Sequence, residues 1–129
     1  MNDGVMLWLG GPAPEVAAAL AQTLTGATCW PVGADTVCAV ASQTGEHLSA
    51  CVERAVRGAQ IASRQGAAVG LAVGPLATAG HANPTRERAR RAAALASAGE
   101  IILAWGSQAY VRGTFESVST GFVRLIELA

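Results

Sequence analysis

The chain has no lysine: all nine of its Lys and Arg positions are arginine, set against nine acidic residues. No side chain can form a lysine Schiff base, act as the lysine of a phosphate loop or read a base edge with an ammonium group. The formal net charge of zero gives no general pull toward nucleic acid or an anionic membrane surface. Cysteine is scarce. Cys29, Cys38 and Cys51 show no CxxC spacing and are expected to be buried free thiols in a reducing cytoplasm. His47 and His81 lack metal-ligand spacing, so no metal site is expected. There is neither a GxSxG elbow nor a GK[ST] phosphate loop. Long apolar runs are also missing. The first ends at Leu9 before Gly10-Gly11-Pro12, so neither a secretory leader nor a membrane span is expected, and the expected location is cytoplasmic.

What is present is a chain of 129 residues that is half apolar, which predicts one domain, 1–129, with a single core. Much of that apolar content is alanine, which buries little area. The core is expected to lean on Val, Leu and Ile and on Trp8, Trp30 and Trp105.

The apolar run Val5–Leu9 predicts a buried strand, and Pro14 can open a helix running to Leu24. Ala27–Val32 and Thr36–Ala41 predict a hairpin turning on Gly33-Ala34-Asp35. Thr44 is the expected cap of a helix reaching Arg64, in which Leu48, Cys51, Val52, Ala55, Val56, Ala59 and Ala62 follow i, i+3, i+4 spacing. A strand over Ala67–Val73 leads to a polar loop, Thr78–Pro84, and a helix capped by Thr85 and ended by Gly99. Glu100–Trp105 reads as a strand, Ser107–Val111 as a short helix, and 114–119 with 122–128 as a terminal hairpin.

This order predicts an α+β fold: a ferredoxin-like βαββαβ core extended by αβ and a C-terminal hairpin. Its sheet should carry helices on one face and leave the other open to a partner.

Four segments carry a family resemblance. Pro31–Val40 (PVGADTVCAV) resembles the hairpin of class III adenylyl and guanylyl cyclase domains, and Val69–Pro75 (VGLAVGP) resembles the strand before their substrate loop. Arg86–Ala104 (RERARRAAALASAGEIILA) is similar to their "V-N-x-A-A-R-L" helix and following strand, and Phe122–Ala129 (FVRLIELA) to their closing strand. The family holds two metal ions with two aspartates and forms its active sites between two such domains. At the first aspartate position this chain reads Leu7-Trp8-Leu9-Gly10-Gly11. The second falls on Ala34, with Asp35 one place later. The transition-state arginine falls on Arg91, its asparagine partner on Glu87, and the base-reading lysine near Trp30.

The resemblance with these departures implies a degenerate cyclase-like domain that is not an enzyme. It would act by protein–protein association, as a homodimer, a heterodimer or a regulatory scaffold. Trp8, Trp30 and Val32 would lie at the interface. The alternative is a nucleotide or small-molecule sensor with a remodelled pocket. In it Arg91 and Arg88 would hold an anion, Trp30 would stack on a base, and Asp35 would line the site. No cofactor, nucleic acid or membrane enters either reading. A plainer reading of the arginine run is a solvated helix face with a Glu87–Arg91 ion pair. Asp35 could equally serve only to form its turn.

Overall fold

The computed structural model describes residues 3–11, 14–76 and 83–129. The strands are β1 (Asp3–Gly10), β2 (Ala27–Val32), β3 (Asp35–Ala41), β4 (Ala68–Pro75), β5 (Ile101–Ala104), β6 (Gly113–Ser119) and β7 (Phe122–Leu128). The helices are α1 (Pro14–Thr23), α2 (Leu48–Arg64) and α3 (Pro84–Leu95), with a 3-10 turn at Ser107–Tyr110. The strands form one seven-stranded sheet in the order β2-β3-β1-β4-β5-β7-β6. Only β4–β5 is parallel. The fold is α+β: β2-β3-β1-β4 with α1 and α2 is the expected ferredoxin-like core, extended by α3, β5 and the terminal hairpin.

The register sorts side chains into rows. Cys29, Cys38, Leu7, Leu71, Leu103 and Val123 line up across six strands and point to the first face. There they meet Val16 and Leu20 of α1 and Cys51, Val52, Ala55, Val56 and Ala59 of α2 in one continuous core. Burying a leucine such as Leu7 is worth about 1.5–3 kcal/mol, so this face dominates the stability of the fold.

The expectation of helices on one face holds for α1 and α2. The third helix is different. The row Trp30, Val37, Trp8, Gly70 lies on the second face, and α3 packs there with Ala89 and Ala93 against Met6, Trp8 and Ala72. Contact is close enough that a Cβ on Gly70 would overlap the backbone of Ala89 and Ala93. The second face is therefore only partly open. A crossover between parallel neighbours β4 and β5 must pass over one face of the sheet, and α1 and α2 already fill the first.

Local chemistry explains the remaining differences. Asn83, not Thr85, caps α3. Its Oδ1 accepts from Thr85 N at 2.9 Å and Arg86 N at 3.2 Å, with Pro84 in the first turn. Thr85 is buried and donates to Pro75 O instead. The helix stops at Leu95, four residues before Gly99. Residue 47, not Thr44, precedes the first turn of α2. The Glu46 carboxylate accepts from Gln43 N and pairs with Arg54 in two bonds, at 2.7 and 2.8 Å. Arg54 also donates to Thr25 O and Ala41 O, which ties α2 to both ends of the β2–β3 hairpin region.

The expectation of three free thiols is corrected. Cys29 and Cys38 face each other across β2–β3 and form a disulfide, leaving Cys51 free and buried. Residues 77–82, which hold most of the expected polar loop and His81, lie outside the described residues. No helix among the described residues is long and apolar enough to cross a membrane.

Candidate functional site

The first strand ends at Gly10, beside the turn that joins β2 to β3. Gly33 takes a left-handed φ of 61° in that two-residue turn, which a side chain would strain. The turn is Gly33-Ala34, and Asp35 is the first residue of β3 rather than part of the turn. Its carboxylate consequently reaches the end of β1. Oδ2 accepts from the Trp8 indole Nε1 at 2.9 Å and Oδ1 from Gly11 N at 3.1 Å. The indole N–H is a donor with no other function, and a carboxylate is the strongest neutralising partner it can find.

Trp8 is 7% exposed. The guanidinium of Arg86 lies over its ring, 5.7 Å from the centroid, in cation–π geometry. Asp35, Trp8 and Arg86 thus form one connected corner drawn from β3, β1 and the first turn of α3. Trp30 and Val32 are half-buried and pack against the same second-face cluster. At the outer edge of β2, an open cavity of 390 Å³ is lined by Ala17, Ala21, Cys29, Trp30 and Asp35. A larger cavity of 710 Å³ lies between α2 and the chain's last strand, but Glu53 and Arg57 on its wall already pair with each other at 2.9 Å.

The structure thus brings Trp8, Trp30, Val32 and Asp35 together and leaves two expected residues out. Arg88 turns to the opposite flank of α3, about 200° round the helix from Arg86, and donates to Val73 O at 2.5 Å beyond the end of β5. Arg91 is exposed, about 140° from Arg86 and away from the sheet. The expected Glu87–Arg91 pair is replaced by Glu87–Arg90, whose bond holds the Glu87 carboxyl below the usual carboxylate range. Trp8 is buried under α3, so of the three residues expected at an interface only Trp30 and Val32 offer surface.

Arg86 belongs to the arginine run that the sequence offers as a possible phosphate site, but the family resemblance singles out Arg91 instead. The signal was present in part: Arg86 and Arg88 border the buried Thr85, Ala89, Ala92, Ala93 stripe from its two sides, whereas Arg91 falls beyond it.

No protein-family model and no curated protein matches the chain. Solved structures do. The monomeric guanylyl cyclase domain of the RhoGC fusion protein from the fungus Blastocladiella emersonii superposes with a TM-score of 0.75 at 11% identity, over 99% of this chain and 96% of that one. The guanylate cyclase domain of RhGC from Catenaria anguillulae, in complex with GTP, gives 0.72 at 13% identity, over 99% and 98%. A dimeric form of the Blastocladiella domain gives 0.69 at 11%, over 100% and 98%. The chain has the fold of a class III nucleotidyl cyclase homology domain.

These matches correct the expectation that the chain is not an enzyme. The structures it follows from end to end are cyclase domains, one of them holding GTP. The absence of a carboxylate at the end of β1 is no ground for excluding activity. The two divalent ions that the fold family implies are a separate matter. Hard cations need several carboxylate oxygens. The corner offers Asp35 alone, with both oxygens already accepting N–H bonds. Among the described residues no three His, Cys, Asp or Glu side chains gather to hold a metal. The residues present do not fit that pair of ions.

Proposed function

We propose that this chain is a nucleotide-binding domain of the cyclase type that works in a dimer. The observation that carries the reading is the end-to-end fold match to a guanylate cyclase domain in complex with GTP. The Asp35–Trp8–Arg86 corner, at the β1–hairpin junction where the resemblance places the family's polar chemistry, adds to it. The phosphates would meet Arg86, the cation nearest the corner, and Trp30 offers an aromatic surface at its margin. A non-canonical dimeric form of the Blastocladiella domain supports pairing as such, and the surface this chain would use is the second face, where Trp30, Val32 and Phe122 are half-buried at the edge of the α3 contact.

The test is the melting temperature of the purified chain against GTP and ATP, with sedimentation analysis and an assay for cyclic product in the same samples. A ligand that binds only the folded state raises the melting point by mass action. The expected result is a saturable rise with at least one nucleotide and a concentration-dependent dimer. No rise at millimolar nucleotide overturns the reading. A dimer that ignores nucleotide would favour a second reading, association through Trp30 and Val32 as a regulatory scaffold.

A further inference from the structure

We propose that the corner carries its positive charge on Arg86 in place of a divalent ion, so that a nucleotide binds there without metal. The inference rests on the nucleotide reading above and specifies what that site requires.

Three observations converge. Asp35 is the one carboxylate that the hydrogen bonds among the described residues bring to the corner, and its two oxygens accept from the Trp8 indole and from Gly11 N. A cation bound to Asp35 could use only the lone pairs those two bonds leave, and would gain one carboxylate. Divalent ions of the magnesium type shed water reluctantly and rarely settle on so few ligands.

The second observation is Arg86. Its guanidinium sits over the ring of the indole that Asp35 fixes, so a permanent positive charge already stands on the same corner. That charge repels a second cation and attracts a phosphate.

The third is the fate of the other arginines of α3. Arg88 is committed to Val73 O and Arg90 to Glu87, and Arg91, though also without a carboxylate partner among the described residues, is exposed about 140° round the helix from Arg86. Arg86 has no carboxylate partner among the described residues, and the remaining residues, 1–2, 12–13 and 77–82, include no Asp or Glu. Its guanidinium is stacked on Trp8, and none of its five donors has a hydrogen-bond acceptor among the described residues. Asp35 therefore acts as a positioning residue: it holds the indole, and the indole holds the cation.

The experiment is calorimetric titration of GTP and ATP into the full chain in EDTA and, separately, in Mn²⁺. Uptake of Mn²⁺ by the protein alone is followed by the loss of its free EPR signal. Equal affinity in EDTA and Mn²⁺, within about twofold, is expected, with no Mn²⁺ uptake. Arg86→Gln should weaken nucleotide about tenfold in EDTA, the low end expected for losing a charge-assisted bond. Binding that requires Mn²⁺ overturns this inference and leaves the nucleotide reading standing. If no nucleotide binds in either condition, the nucleotide reading fails. The Mn²⁺ arm then decides the corner: uptake that Asp35→Asn abolishes overturns its metal-free character, and no uptake upholds it. The Trp8 indole ¹H–¹⁵N resonance gives a readout independent of ligand. It should lie downfield in EDTA and move on Asp35→Asn, and an unmoved signal would show that Asp35 does not hold the indole.

Discussion

The two faces of the sheet are built from different materials. The first is filled by branched side chains, with Leu7, Leu71 and Leu103 in one row beneath the Val and Leu positions of α1 and α2. The second is filled largely by alanine, with Ala72, Ala89 and Ala93 around Met6 and Trp8, and a glycine where α3 crosses β4. Small residues bury little area but let backbone approach backbone. The first face therefore supplies stability, and the second supplies a fixed, close spacing between α3 and the sheet. Each face carries one polar tie at its margin: Trp8, Asp35 and Arg86 meet at the rim of the alanine face, and the Glu46–Arg54 pair fastens α2 to the hairpin beside the first.

The contrast can be broken most severely at its strong side. Leu7→Ala removes a fully buried side chain from the first-face row, and urea denaturation should show a loss of about 2–5 kcal/mol. A loss below about 1 kcal/mol would mean that this face is no more tightly packed than an ordinary surface.

Gly70→Ala probes the other side. The added methyl overlaps the backbone of Ala89 and Ala93, and overpacking of this kind costs about 1–3 kcal/mol. The diagnostic effect is a displaced α3, read as a shift of the Trp8 indole resonance when Arg86 moves off the ring. An unmoved indole would show that spacing on this face is not set by Gly70.

The smallest effect concerns acid. Hydrogen bonds from Arg54 and then from Gln43 N lower the Glu46 carboxyl from 4.5 to about 2. A depressed carboxylate stabilises the fold above its unfolded value and loses that contribution as pH falls through the folded one. The tie between α2 and the hairpin should thus weaken between pH 4.5 and about 2, in step with the Glu46 values. Glu46→Gln should flatten this part of the stability–pH curve, and an unchanged slope would assign the acid response to other groups.

Element order was legible because periodicity is strong: the α2 stripe Cys51, Val52, Ala55, Val56, Ala59, Ala62 is buried as its spacing requires. The site was legible only in part, and one residue explains much of the shortfall. Counting Asp35 into the turn moves the β2–β3 pairing by one position, and a one-residue slip exchanges the two faces of a strand. With the two-residue turn Gly33-Ala34, Cys29 falls opposite Cys38 and Asp35 points at the end of β1. With a three-residue turn neither relation is visible. The choice among arginines was misled differently. Matching the helix to a family pattern selected Arg91, whereas the buried Thr85, Ala89, Ala92, Ala93 stripe sets which side of α3 meets the sheet and leaves Arg86 beside Trp8. Metal chemistry was judged from missing carboxylates alone, and that could not speak for catalysis.

Trp8 also keeps time. Its partners come from distant parts of the chain, Asp35 at a separation of 27 residues and Arg86 from beyond the β1–β4 pairing. Long-range contacts of that kind close late in folding, after hairpins and helices have formed. The β2–β3 hairpin can form on its own contacts, but the indole reaches its final surroundings only when α3 has docked. A refolding experiment that follows backbone structure would thus reach its plateau first. The Trp8 signal would lag behind it and mark the moment when β1, β3 and α3 come together at the corner.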